Sequence, residues 1–179
     1  MFAHVEPITI EKHENLRFLP VNSYEFAKKV HIVPLCISEI IQASRHYPII
    51  FIDRDPAQPY ALLSLVPETN SYVDNEGLWK VPYIPAFIRQ YPFCIKKVEG
   101  EEDKGIFCLD PNAPHFNTSH GDPLFRADGA FTEHMEKIKE FCVKVFQEMV
   151  VAKNIFRPLL EKGIITPWNI NIKIKDKTI

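Results

Sequence analysis

Apolar positions along this chain follow two different rhythms. Between Thr132 and Lys162, Ile138, Cys142, Val145, Met149, Ala152, Phe156 and Leu159 recur at alternating steps of four and three, the spacing that lines one face of an α-helix. Met135, Phe141, Phe146, Val150 and Ile155 widen the stripe beyond a coiled-coil seam, so the helix is expected to lie on a sheet and not to zip to a second copy. Pro158 falls inside the pattern and removes a hydrogen bond, which predicts a kink or break near Asn154, and Gly163 is placed to end the helix.

Before Thr132 the apolar runs are short and punctuated. Fifteen prolines stand against six glycines, most of them at the ends of these runs, where a fixed φ and a missing N–H stop a strand or start a helix. Residues 49–53 and 60–66 read as antiparallel strands joined by a turn-forming connection at 54–59. Residues 91–98 and 106–109 read as a second hairpin around a charged turn at 99–105. A short helix is expected from an N-cap at Ser38 to Ser44, and another over 85–90 with Pro85 in its first turn. Near the end, Ile170, Ile172 and Ile174 alternate with Asn171, Lys173 and Lys175, a half-buried strand at 169–175 whose lysine-bearing face suits a sheet edge. The fold class that follows is α+β: a mainly antiparallel sheet of short strands with one long helix from the C-terminal half packed on it.

Length and composition fit one domain over residues 1–179, with 46% hydrophobic and 25% charged residues. A net charge of −2 arises from 21 basic and 23 acidic residues, and no clustered basic patch argues for nucleic acid. No stretch reaches the roughly 18 apolar residues of a membrane span. The N-terminus lacks the pattern of a secretory leader, so a cytoplasmic protein is expected, with surface association only by export that needs no such leader. Cys36, Cys94, Cys108 and Cys142 are widely spaced in apolar surroundings, as suits small core residues in a reducing compartment.

Two settings carry candidate chemistry. The segment 110–130 is long and aperiodic, a property of loops that bind something. Within it His115, His120 and Asp122, with His134 at the start of the following helix, are residue types that hold Zn or Fe, though the spacing matches no specific metal motif. The other setting is aromatic. Arg45, His46 and Tyr47 precede one apolar run, and Tyr83, Phe87, Arg89 and Tyr91 surround another. Guanidinium groups among rings can stack or fork a carboxylate, so these residues are candidates for holding a peptide or protein partner. No nucleophile stands beside a base, and no phosphate loop is present.

Several blocks, taken together, resemble the bacterial SapC family: Ile32-Val33-Pro34-Leu35, Ser44 to Phe51 (SRHYPIIF), Tyr83 to Phe93 (YIPAFIRQYPF), Gly121-Asp122-Pro123-Leu124-Phe125 with Asp128-Gly129, and Gly163 to Trp168 (GIITPW). Their order and approximate spacing agree, and the resemblance covers nearly the whole chain. It implies an association with bacterial surface-layer (S-layer) gene clusters. Other members sit beside genes for nutrient-uptake receptors and cupin-like oxygenases, which implies an accessory role in recognising or modifying a peptide or protein. The family offers no agreed catalytic motif to map. Relatives continue beyond the strand that follows Pro167-Trp168, so this chain is expected to lack the usual C-terminal extension, leaving an open edge at 169–175 that favours a homo-oligomer.

The expectation that results is a non-enzymatic accessory protein that needs no cofactor. The alternative is a metal-dependent enzyme, or the partner of a peptide-modifying oxygenase, with Fe or Zn at His115, His120 and Asp122.

Overall fold

Short extended segments alternate with single helical turns until one long helix takes over. The computed structural model describes residues 1–2, 4–52, 58–98, 100–166, 173–174 and 177–178, the last four and residues 102 and 103 by backbone only. In chain order these form β1 (Glu6–Pro7), α1 (Ile10–His13), β2 (Arg17–Phe18), a 3-10 turn (Glu25–Ala27), β3 (Ile32–Pro34), a second 3-10 turn (Ile37–Glu39) running into α2 (Ile40–Ala43), β4 (Ile49–Phe51) and β5 (Pro59–Leu62). Then follow α3 (Ala86–Arg89), β6 (Phe93–Val98), β7 (Glu101–Leu109), β8 (Phe116–Asn117), β9 (Asp122–Pro123), α4 (Glu133–Glu161), β10 (Lys173–Ile174) and β11 (Lys177–Thr178).

Every strand pair is antiparallel, so the chain is an α+β protein. The strands are divided among small sheets, in the orders β3-β5-β4, β1-β7-β6 and β8-β2-β9, with β10 and β11 as a separate pair. Both expected hairpins form, with shifted bounds. β5 ends at Leu62, short of residue 66, and most of the connection before it, residues 53–57, lies outside the described residues. The expected turn at 99–105 is mostly strand: β7 starts at Glu101, and Gly100 at φ +83° allows the tight reversal. The aperiodic segment 110–130 is not a plain loop, because β8 and β9 flank β2 within it. Of the strand expected at 169–175, only Lys173 and Ile174 are described, and they pair with Lys177 and Thr178.

The long helix behaves as its periodicity predicts. Thr132 caps it, its side chain accepting from the Met135 N–H at 3.3 Å, and Glu133 and Glu136 place negative charge in the first turn. Met135, Cys142, Val145 and Ala152 form the buried stripe, whereas Ile155 is exposed. Pro158 does not break the helix, which runs on to Glu161; Asn154 and Pro158 are both exposed, so the carbonyl that loses its partner meets water. Gly163 adopts φ +67°, with bonds from Gly163 N–H to the Leu160 carbonyl and from Ile164 N–H to the Leu159 carbonyl, each 2.9 Å, closing the end as a Schellman motif. Among the described residues no helix is long and apolar enough to cross a membrane.

Two cores result. One gathers Val33, Leu35, Ala43, Tyr47, Leu63 and Ile88 around the β3-β5-β4 sheet, and the other gathers Phe18, Phe93, Leu109, Leu124, Met135 and Cys142 beneath α4. A row of rings joins them: Phe26 stacks on Tyr91 at 4.3 Å, followed by His115 at 5.6 Å, Phe18 at 6.4 Å, Phe93 at 5.1 Å and Phe107 at 5.7 Å.

Candidate functional site

A buried carboxylate ties the helical turn before α2 to the segment that leads into α3. Glu39, only 5% exposed, accepts through Oε1 from the Cys36 N–H at 2.7 Å and through Oε2 from the Tyr83 hydroxyl at 2.6 Å and the Ala86 N–H at 2.9 Å. Cys36, and not Ser38, therefore caps this helical stretch, because Glu39 reaches back to it; the Ser38 N–H instead donates to Glu148 on α4 at 2.8 Å. Burial, and then Glu39 itself, raises the Tyr83 pKa. Tyr47 is buried as well: its hydroxyl donates to the Tyr83 carbonyl and accepts from Trp79 Nε1 at 2.8 Å, and burial pushes its pKa up to about 12. The Tyr72 hydroxyl donates to the His46 carbonyl at 3.0 Å. Tyr47 and Tyr83 are thus bound up in the scaffold. Arg45 is exposed and, among the described residues, reaches Gln42 at 3.4 Å.

Arg89, Gln90 and Tyr91 separate two clefts under α4. The first, of about 250 Å³, lies between Phe18, Phe93 and this segment on one side and His134, Ile138 and Phe141 on the other; neither Arg45 nor His46 lines it. Arg89 is held at its rim, Nε donating to the Ile84 carbonyl at 2.9 Å and the guanidinium carbon 5.1 Å from the Phe141 ring centre. Tyr91 is buried, and burial followed by the nearby Asp110 carboxylate raises its pKa to about 12. The second cleft, of about 230 Å³, is almost wholly apolar, with Phe2, Phe87, Val145, Phe146 and Met149 in its walls and Lys96 at its side. Gln90 lines both clefts. It is 5% exposed.

The four candidate metal ligands occupy different environments. His115, 7% exposed, turns into the aromatic row, where burial lowers its pKa and Nδ1 finds no partner. His120 is exposed in the turn between β8 and β9, 2.7 Å from Ser119 Oγ. Only Asp122 and His134 meet, Oδ2 to Nδ1 at 2.9 Å, both exposed in an open cleft of about 450 Å³ with Thr132, Glu133 and Lys137. Among the described residues no group of three or more His, Cys, Asp or Glu side chains could hold a metal ion.

A family model described as SapC matches residues 8–179. The chain belongs to the SapC family. Comparison with curated proteins and with solved structures returned no match for this SapC chain, so its site is argued from its own geometry. Of the aromatic candidates, Arg89, Tyr91 and Phe87 line the SapC clefts, while Tyr47 and Tyr83 support them from behind. Sequence reasoning missed Glu39 and Gln90. The Cys36-Ile37-Ser38-Glu39 spacing carries the signal for the first, an acid three residues after the cap. Nothing in the sequence marks the second, since its burial depends on α4 closing over the segment.

Proposed function

We propose that this SapC-family chain is a non-enzymatic accessory protein of bacterial surface-layer biogenesis that holds a peptide or protein partner in the clefts on either side of Gln90. The observation that carries this reading is Gln90, a polar residue only 5% exposed that lines both clefts. A carboxamide presents one acceptor and two donors, which match the N–H and C=O of a peptide unit. Phe18, Phe93, Phe141, Phe87 and Phe146 offer apolar walls for side chains, and Arg89 adds a cation at the rim. Family membership supports the surface-layer setting. Free thiols at Cys36, Cys94, Cys108 and Cys142 suit work in the reducing cytoplasm.

The test is selection of a phage-displayed random-peptide library on the purified protein, followed by calorimetric titration of the enriched peptides. Binding should weaken by about tenfold, or roughly 1.4 kcal/mol, in both Gln90→Leu and Arg89→Ala, each first shown to melt as the wild type does. Failure to enrich any peptide, or affinities that neither substitution moves, would overturn the reading.

A further inference from the structure

The order β1-β7-β6 leaves β6 at the edge of its sheet. Which of its backbone groups face outward follows from the phase of the ladder. The Asp110 N–H donates to the Pro92 carbonyl at 2.9 Å, and Cys94 and Lys96, in step with Pro92, turn their N–H and C=O groups toward β7. On the other side of β7 the Ile8 N–H donates to the Phe107 carbonyl at 3.0 Å, so Phe107, which stands opposite Ile95, bonds toward β1. The Ile95 N–H and C=O therefore point away from the sheet, and no described residue pairs with them.

That free edge borders the apolar cleft. Cys94, Ile95 and Lys96 all line it, although successive strand side chains point to opposite faces; a cleft touching all three runs along the strand's edge. We infer that an extended apolar peptide segment with acidic neighbours adds to the sheet as a new strand beside β6, bonding to Ile95 and placing side chains against Phe87, Phe146 and Met149. The inference rests on the peptide-binding reading above and names its mode and ligand class. Strand addition satisfies the outward-facing N–H and C=O of Ile95, and the apolar wall accepts alternate side chains. Lys96, exposed beside the cleft, gives acidic flanks their attraction.

The experiment uses immobilised heptapeptides in which leucine, valine or phenylalanine alternates with glutamate, read by surface plasmon resonance beside the same compositions in helical order. Alternating peptides should bind and helical-order ones should not. N-methylation at the residue that pairs with Ile95 should weaken binding by about tenfold or more, with its immediate neighbours tolerant. Lys96→Glu should reverse the preference toward lysine-bearing peptides, and amide exchange at Ile95 should slow in the complex while Cys94 and Lys96 stay as they are. If library-selected peptides bind but N-methylation at every position is neutral and Ile95 exchange is unmoved, strand addition is wrong and peptide binding stands. If neither set binds, both fall. An Ile95 amide already protected in a protein that sediments as a dimer assigns the edge to a second copy and likewise overturns the proposal.

Discussion

Glu39 concentrates three buried donors on one carboxylate, and replacing it isolates their worth. In Glu39→Gln the shape is kept but one oxygen becomes an NH₂ that cannot accept. Turned one way it faces the Cys36 N–H; turned the other it faces the Ala86 N–H and the Tyr83 hydroxyl. The hydroxyl can rotate to accept, but the backbone N–H cannot, so either orientation strands one buried donor at about 1–3 kcal/mol. Removing the charge also recovers part of its desolvation cost, which sets the expected net loss at about 2 kcal/mol. Glu39→Ala strands both N–H groups and the hydroxyl, for about 4 kcal/mol, a large share of the roughly 5–15 kcal/mol that holds a domain folded. Equilibrium urea denaturation followed by tryptophan fluorescence reads both, Trp79 being bonded to Tyr47 in the same network, and the m-value should not change. Tyr83→Phe should cost about 1 kcal/mol in the wild type and measurably less in Glu39→Gln. A Glu39→Gln protein within about 0.5 kcal/mol of wild type, or a Tyr83→Phe cost identical in both backgrounds, would refute the reasoning.

Gly77→Ala should lower the melting temperature by several degrees, since Gly77 sits at φ +82° and a Cβ there would lie 2.1 Å from Ser23 Oγ; Ser23→Ala should recover only the contact part. Because burial holds the His115 pKa below its usual value of 6.5, the unfolded chain takes up the proton first as pH falls; stability is full above about pH 6.5 and declines below it until the folded side chain also protonates. His115→Phe should leave stability near neutral pH unchanged or higher, since Nδ1 has no partner to lose, and should flatten that acid-side slope in urea titrations at stepped pH. Burial pushes the Cys36, Cys94 and Cys142 thiols up to about 12, so at pH 8, an assay pH near the ordinary thiol pKa, iodoacetamide should label them far more slowly in the native protein than in urea.

The elements that were legible in the sequence are those whose pattern is longer than their noise. Helix α4 repeats its stripe over 29 residues and carries its own cap at Thr132 and stop at Gly163, so local signals and packing agree. The run 101–105 reads as a turn because its charges and glycine are poor strand formers; Glu101, Lys104 and Gly105 are exposed, so burial does not force alternation on them. Two-residue strands such as β8 and β9 lie below the length at which any period registers. Among site residues, Arg89 and Tyr91 came together because they are neighbours in sequence. The separation of His115 from the Asp122–His134 pair was invisible, since it depends on which way the chain turns after Ala113. Glu39 and Gln90 were missed for a related reason: polar residues become buried only through contacts made from elsewhere.

The row of rings from Phe26 to Phe107 has a consequence for motion. An aromatic side chain packed on both sides can flip about its Cβ–Cγ bond only when its neighbours draw back. Here Tyr91, His115, Phe18 and Phe93 each have a ring on either side in the row, handing the constraint along between the two larger cores. Ring flips along the row should therefore be coupled: truncating Phe18 is expected to speed the flips of Phe93 on one side of it and of Tyr91 beyond His115 on the other.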